Sequence, residues 1–295
     1  MTTNLTASGD VLTAAAQVAG LSTAGAELIR DGSNALYRLS GEVVARVGSP
    51  GTADTARREV RLSHWLAESG VPVVQALAEL PQPVVVHDRP VTWWRLLPAH
   101  RPATPAELAA VLRTFHALPT PPEVKLPFHA PFLRLDERIA VASGLTGENR
   151  SWLVARLAEL REQYERLSTD RPRQLIHGDA WQGNVAVPGS GPPILLDLEK
   201  VALGHPEWDL AQIAVDYTDF SRLTAEDYRS FVDAYGGHDL TKTAGYRTYA
   251  DIQAFRWLGF LLGKSGSSAA VQREIQHRIA CLRGEIPRPW AWTAF

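Results

Sequence analysis

The stretch Leu175-Ile176-His177-Gly178-Asp179-Ala180-Trp181-Gln182-Gly183-Asn184, with Ile194-Leu195-Leu196-Asp197-Leu198-Glu199 behind it, constrains the fold more than any other part of the chain. Its first residues read as a short buried strand and the next as a polar loop. Val185-Ala186-Val187 and Ile194-Leu195-Leu196 have strand character, and the turn formers Pro188-Gly189-Ser190-Gly191-Pro192-Pro193 lie between them, so the two predict a hairpin. In an antiparallel pair the first residue of one strand lies beside the last of the other. Asn184 and Asp197 are therefore expected at one end, and Asp179, Asn184 and Asp197 on one small volume.

Each of these residues alone is what a turn or a strand end commonly carries. Together they are three oxygen ligands suited to a hard cation such as Mg²⁺, which takes a few carboxylate or amide oxygens and leaves its other positions to water and phosphate. A kinase catalytic loop supplies a base Asp and, after four intervening residues, a metal-binding Asn; a following strand supplies a second Asp. Asp179 to Asn184 has that spacing.

His177-Gly178-Asp179 with Asn184, then Asp197-Leu198-Glu199, Gly204 and Trp208-Asp209-Leu210-Ala211, resembles the aminoglycoside phosphotransferase and choline kinase family. The specific part of the resemblance is confined to residues 177–211, within a weaker similarity from about Asp31 to the last helices. It implies an α+β, bilobal, protein-kinase-like fold: a small N-terminal lobe with an antiparallel sheet (residues 1–97, ending in the hinge) and a larger, mainly helical C-terminal lobe (98–295). It also implies Asp179 as catalytic base, Asn184 and Asp197 as Mg²⁺ ligands, and ATP or GTP as phosphoryl donor. His177 is expected to hold the loop's shape and Asp209 to brace it, while Glu199 would touch a second ion or the acceptor.

Length and composition agree with such a chain. At 295 residues it can bury a large core in one or two domains. With 45% hydrophobic and 21% charged residues the composition is that of a soluble globular protein. A formal charge of −2 gives no basic footprint for nucleic acid. The one cysteine, Cys281, excludes an intramolecular disulfide and is consistent with a reducing, cytoplasmic setting; it reads as a small apolar filler on the last helix. No stretch approaches the ~20 apolar residues that span a bilayer. Met1 to Ala19 lacks basic residues ahead of its apolar part, so it is a poor signal peptide. Asp10 is read instead as the cap of a helix over Val11–Ala19. Nothing in the sequence speaks to oligomeric state.

Upstream of the loop, Ala35–Leu39 and Val43–Val47 predict a hairpin preceded by Asp31-Gly32-Ser33-Asn34. Gly32, Ser33 and Asn34 are candidates for a phosphate-binding loop, because glycine permits positive φ and close backbone approach; a plain turn is the alternative. Arg46 stands where the kinase template puts a phosphate-pairing Lys, and an arginine can keep that role bidentately. Glu59, on a helix expected over Ala53–Ser69, is its candidate partner, although a solvated charge beside Arg57, Arg58 and Arg61 is the plainer reading. Val84–Val86 and Val91–Leu97 predict a second hairpin, with Trp94 and Leu96 in the segment expected to line the base pocket. Thr104-Pro105-Ala106-Glu107 is a helix start with a capping box. Leu153, Leu157, Leu160, Tyr164 and Leu167 mark another helix, and Thr224–Asp227 and Gly236-Gly237 bound a third. The aromatic Ile286–Phe295 is expected to pack on the C-terminal lobe.

The acceptor expected is a small hydroxylated molecule: an antibiotic, amino sugar, nucleoside or amino alcohol. Residues 207–251 hold nine acids against four bases, which would suit a cationic one, although solvated helix faces explain most such acids. Two other functions fit parts of the pattern. One is a catalytically silent nucleotide-binding regulator on the same fold. The other is a metal-dependent hydrolase with His177, Asp179 and His205 as ligands.

Overall fold

A computed structural model describes residues 8–168 and 172–295. The chain forms two compact units. The first comprises the chain up to Ala103 with Pro119–Leu126 and Gln182–Val201; the second comprises Thr104–Leu118, Pro127–Trp181 and Ala202–Phe295.

In the first unit, α1 (Ser8–Ala19) is followed by β1 (Glu27–Asp31), β2 (Ala35–Arg38) and β3 (Val43–Val47). Then come α2 (Ala53–Glu68), β4 (Val84–Val86) and β5 (Arg89–Arg95). The five strands make one antiparallel sheet in the order β1-β2-β3-β5-β4. Side chains alternate across a strand, and this sheet uses both faces. Ala35, Ala45, Val47, Val91 and Trp93 pack with Val11, Leu12, Ala15 and Ala16 of α1. Val44 and Trp94 face the other way, onto Val60 of α2 and Ala76. Arg46 follows Val44 by two residues, so it projects toward α2.

Two expectations change here. The first helix begins at Ser8, so Asp10 lies in its first turn and caps nothing. Asp31–Asn34 does not merely precede a hairpin; it is the turn of one, with Asp31 opposite Ala35 across a strand β1 that the sequence pattern did not suggest. All of β1 is exposed and lacks alternation, which is why it left no signal.

A second sheet of the first unit pairs β6 (His100–Pro102), β8 (Val185–Pro188) and β9 (Ile194–Leu195); β7 (Gln174–Ile176), earlier in the chain than β8, belongs to the second unit. Val185 lies opposite Leu195, as the hairpin reading requires.

The second unit is helical. Its helices are α3 (Pro105–His116), α4 (Leu135–Val141), α5 (Gly147–Ser168), α6 (Glu207–Thr218), α7 (Ala225–Tyr235), α8 (Tyr246–Leu262) and α9 (Ala269–Leu282). Thr104 and Thr224 each form the expected capping box, with Glu107 and Asp227. Gly236, at φ +111°, ends α7 in the left-handed conformation that favours glycine. Helix α8 is buried nearly all round, through Ile252, Phe255, Leu258 and Leu262 among others, and packs with α4, α5, α6 and α9. Strand β10 (Ala202–Gly204) pairs antiparallel with β7. At the C-terminus Trp290 and Trp292 stack at 5.3 Å and meet the edge of Phe220, which accounts for the aromatic tail. Cys281 is buried on α9. No helix of the described residues is long and apolar enough to cross a membrane.

Candidate active site

Within the first unit the cluster begins with Arg46. Its Nη1 donates to Glu59 Oε1 at 2.7 Å and its Nη2 to Glu199 Oε2 at 2.9 Å. With its amide oxygen turned toward the guanidinium, Asn34 accepts from Nη2 at 2.7 Å and Nε at 3.1 Å. The β3 register puts Arg46 over α2, and Glu59 falls on the buried stripe of that helix with Ala56, Val60 and Ser63. The pair is thus a consequence of strand and helix periods meeting, and Glu59 is no solvated charge: its side chain is 4% exposed. Arg46, Glu59 and Glu199 line a pocket with Ser33, Asn34 and Thr52.

Arg46 faces several acids in this cluster, and Arg58 donates to the Glu199 carbonyl at 3.2 Å. The ligand oxygens of Glu59, Asp197 and Glu199 lie within 4.8 Å of one another. Burial opposes the charge on Arg46, but Glu59, Asp197 and Glu199 outweigh it and raise its pKa. Burial pushes the Glu59 carboxyl up to about 7, against the pull of Arg46 and with the added repulsion of Glu199 and Asp197. Asp197 and Glu199, with the raised Glu59 carboxyl beside them and the Arg46 and Arg58 guanidiniums against Glu199, present donors that are all hard oxygens. That chemistry fits a divalent cation of the Mg²⁺ or Ca²⁺ kind.

Asn184 is buried, and its carbonyl accepts from the Leu196 N–H at 2.9 Å, which puts it at the end of the hairpin from which Asp197 leaves. Asp197 has a positive φ of 53°, an uncommon conformation for a non-glycine residue and one that marks the turn after β9.

The remaining upstream candidates differ in how they are used. Gly32 has neither positive φ nor a crowded Cβ position, so the conformational reason for a glycine there fails. Ser33 offers its carbonyl to Ser49 Oγ at 2.9 Å. Trp94 is a core residue, 6% exposed, whose indole N–H donates to Thr92 Oγ1 at 2.8 Å. The Leu96 N–H donates to the Glu42 carbonyl at 2.7 Å.

In the second unit, β7 delivers the loop His177-Gly178-Asp179. Asp209, at the start of α6, is 1% exposed and accepts from the backbone N–H of His177 at 2.6 Å and of Gly178 at 2.8 Å. Trp208 Nε1 donates to the Gly178 carbonyl at 3.2 Å. Gly178 has φ +81°, so the clamped turn needs a residue without a Cβ. A Cβ on Gly204 would sit 2.4 Å from Ile176 Cδ1, which makes glycine the residue that lets β10 approach β7. The His177 ring is fully buried, edge-on to Phe115 at 6.4 Å. Asp179 is partly exposed at the head of the loop.

Sequence reasoning missed the far side of Asp209. His116 Nε2 lies 2.9 Å from Asp209 Oδ2 and its Nδ1 2.8 Å from the Tyr235 hydroxyl. Burial alone would raise the Asp209 pKa, but the hydrogen bond and charge of His116, with help from His177, hold it below the usual carboxylate range. The available signal was a histidine one step beyond the buried stripe Leu108, Leu112 and Phe115. Among the described residues, the set of three or more metal-ligating groups that gathers is Glu59, Asp197 and Glu199; His177, Asp179 and His205 do not form one.

An antiparallel sheet carrying a helix-paired cation, followed by a mainly helical remainder, is the architecture of the protein-kinase-like phosphotransferases. The chain belongs to the phosphotransferase enzyme family, whose sequence profile matches residues 26–252, and it is a small-molecule kinase. No curated protein sequence matches it significantly. Solved structures do. An amicoumacin kinase in complex with AMP-PNP and Ca²⁺ superimposes with a TM-score of 0.74 at 15% identity, over 94% of this chain and 93% of that one. The choline kinase LicA from Streptococcus pneumoniae gives 0.66 at 16% identity, over 94% of this chain and all of that one. The phosphotransferase APH(2″)-IIIa, in complex with GDP and kanamycin, gives 0.66 at 17% identity, over 94% and 97%.

Proposed function

We propose that this enzyme uses Mg²⁺ to move the γ-phosphoryl group of ATP or GTP to a hydroxyl of a small molecule. The observation that carries the reading is Arg46. A cation held between Glu59, Glu199 and Asn34, in a pocket beside Asp197, is suited to nucleotide phosphates with their metal. Asp197 and Asn184 would hold the ion. Held there, it would supply positive charge to offset that of the phosphates and of the moving group. Ser33 and Asn34, which line the pocket with Arg46, would border the phosphates, and Leu96 with the end of β5 would border the base. Glu199 supports Arg46 and is within reach of the ion.

Asp179 accepts the proton of the acceptor hydroxyl while that oxygen forms its bond to the γ-phosphorus. The bond from phosphorus to the bridging oxygen breaks, and the nucleoside diphosphate leaves with the electron pair. The Asp209 clamp on His177 and Gly178 fixes the loop from which Asp179 projects, so little reorganisation is needed during transfer. The donor is open between the two nucleotides: neighbours of the fold hold AMP-PNP in one case and GDP in another.

The acidic surplus of residues 207–251 does not favour a cationic acceptor. Asp216 pairs with Arg222, Asp219 with Arg247 and Arg288, Asp239 with Lys242, and Asp251 with Arg156 and Arg247. Asp227 caps α7 and Asp209 is the loop clamp.

Asp179→Ala should lower turnover about 10²- to 10⁴-fold with nucleotide binding intact, measured by coupled assay over a panel of hydroxylated acceptors with both nucleotides. Full turnover by the folded variant would sink the assignment. Asp197→Ala should instead weaken Mg²⁺-dependent nucleotide binding in a calorimetric titration.

A further inference from the structure

Two arginines of the second unit stand apart from the rest. Arg138 on α4 and Arg256 on α8 are both partly buried. Among the described residues, neither guanidinium makes an ion pair or a hydrogen bond, although Glu137 acts on the charge of Arg138 and Asp179 on that of Arg256. Other buried or partly buried arginines of this unit are engaged: Arg150 by three carbonyls, Arg156 by Glu159 and Asp251, Arg278 by Glu274 and two carbonyls. Arg113, which also lacks a partner, is exposed and solvated. A guanidinium taken partly out of water without a partner is costly, and like charges close together add to that cost.

The placement of Arg256 is specific. Its guanidinium stacks over Trp208 at 4.8 Å from the ring centroid, and Trp208 is the residue that holds the Gly178 carbonyl. Stacking covers one face of the guanidinium and leaves its edge of N–H donors for an in-plane acceptor. Burial lowers the Arg256 pKa, Asp179 opposes that change, and Arg138 adds to it, so both groups lie near enough to act on its charge. The same indole packs against His129 at 4.4 Å, whose buried Nδ1 has no hydrogen-bond partner among the described residues.

We infer that Arg256, seconded by Arg138, anchors an oxyanion of the acceptor, a carboxylate or a phosphate, beside the Asp179 loop, so that the molecule phosphorylated is a hydroxylated anion or zwitterion. This rests on the phosphotransfer reading for calling the ligand an acceptor; the anion site itself rests on the geometry. The planar fork suits either oxyanion. A purely cationic or neutral acceptor would leave both guanidiniums unpaired.

The test is binding in the absence of nucleotide, followed as a saturable rise in unfolding temperature. The probes are D-glycerate, glycerol 3-phosphate and, as the neutral control, glycerol, at matched ionic strength. At least one of the two anions should bind the wild type saturably and more tightly than glycerol, and which one does so identifies the oxyanion. Its half-saturation concentration should rise about tenfold or more in R256Q, as expected for loss of a charge-assisted pair, and by a smaller factor in R138Q. It should stay unchanged in R113Q. Should R256Q fail to fold, R138Q carries the same comparison. Anion affinity no better than that of glycerol, or equal affinity in the wild type and the arginine variants, overturns the inference. Because this readout needs no turnover, it separates from the coupled assay: transfer to neutral acceptors there, with no anion binding here, would defeat this inference alone. Anion binding with no transfer to any acceptor would defeat the phosphotransfer reading.

Discussion

A single buried carboxylate, Asp209, does the work of several residues. It satisfies two backbone N–H groups of the loop with one side chain and is itself satisfied by His116. Removing its partner leaves a buried charge short of compensation, which commonly costs about 3–5 kcal/mol. His116→Ala should therefore lower the unfolding temperature markedly and loosen the loop, seen as faster amide exchange at Gly178. The pH dependence follows from the depressed pKa of Asp209. Its contribution to stability is present above the unfolded carboxylate value of about 4 and is lost as pH falls through the lower, folded value. In His116→Ala the folded pKa rises, so the acid unfolding midpoint followed by circular dichroism should move to higher pH. At Arg46 a lysine would keep the charge but lose the fork shared between Glu59 and Glu199. Arg46→Lys should weaken nucleotide binding about tenfold in a calorimetric titration, a difference of ~1.4 kcal/mol, with the circular dichroism spectrum unchanged.

At the scale of elements, period explains what could be read in advance and what could not. The hairpin that brings Asn184 beside the exit of Asp197, the β2–β3 hairpin and the two capping boxes all follow from local rules with a strong signal, whereas the pairing of Arg46 with Glu59 came only from the kinase template. Thr104→Ala, which removes one such box, should cost about 1 kcal/mol in denaturant unfolding without touching nucleotide affinity. What stayed hidden is non-local or weakly patterned. Strands β1 and β6 are short and exposed, and α4 is a seven-residue helix whose cap residue, Arg134, has positive φ and makes no side-chain cap bond. The candidate residues of the two units divide in the same way. Asp179, Asn184, Asp197 and Asp209 stand in one recognisable run, whereas His116, Tyr235, Arg138 and Arg256 reach their places only through the packing of α3, α4, α7 and α8. Trp94 is legible in another way. A tryptophan pair in a strand offers one ring to each face, and here both faces are core.

For the molecule as a whole, the last residues are as much part of the fold as the helices. Trp290 is 4% exposed, its N–H donates to the Asp219 carbonyl at 2.7 Å, and Arg288 pairs with the Asp219 carboxylate at 3.0 Å. Trp290→Ala should cost about 3–5 kcal/mol, the usual range for a buried large aromatic, read as a drop in unfolding temperature. The path of the chain has a consequence of another kind. It changes unit at 103–104, 118–119, 126–127, 181–182 and 201–202, so that the hairpin β8–β9, made late, supplies the neighbours of β6 and of the Val73–Val74 segment, made early. On a ribosome the amino-terminal unit has its sheet and both helices some eighty residues before the strands that close it are synthesised. For that interval β6 offers unpaired N–H and C=O groups, the kind of edge that recruits foreign strands. The nascent protein is thus most exposed to misassembly while residues 104–181 are being translated. Making those strands earlier, by a circular permutation that joins the termini through a linker and opens the chain between α4 and α5 so that residues 182–201 are synthesised before residue 103, should raise the soluble yield without altering the finished enzyme.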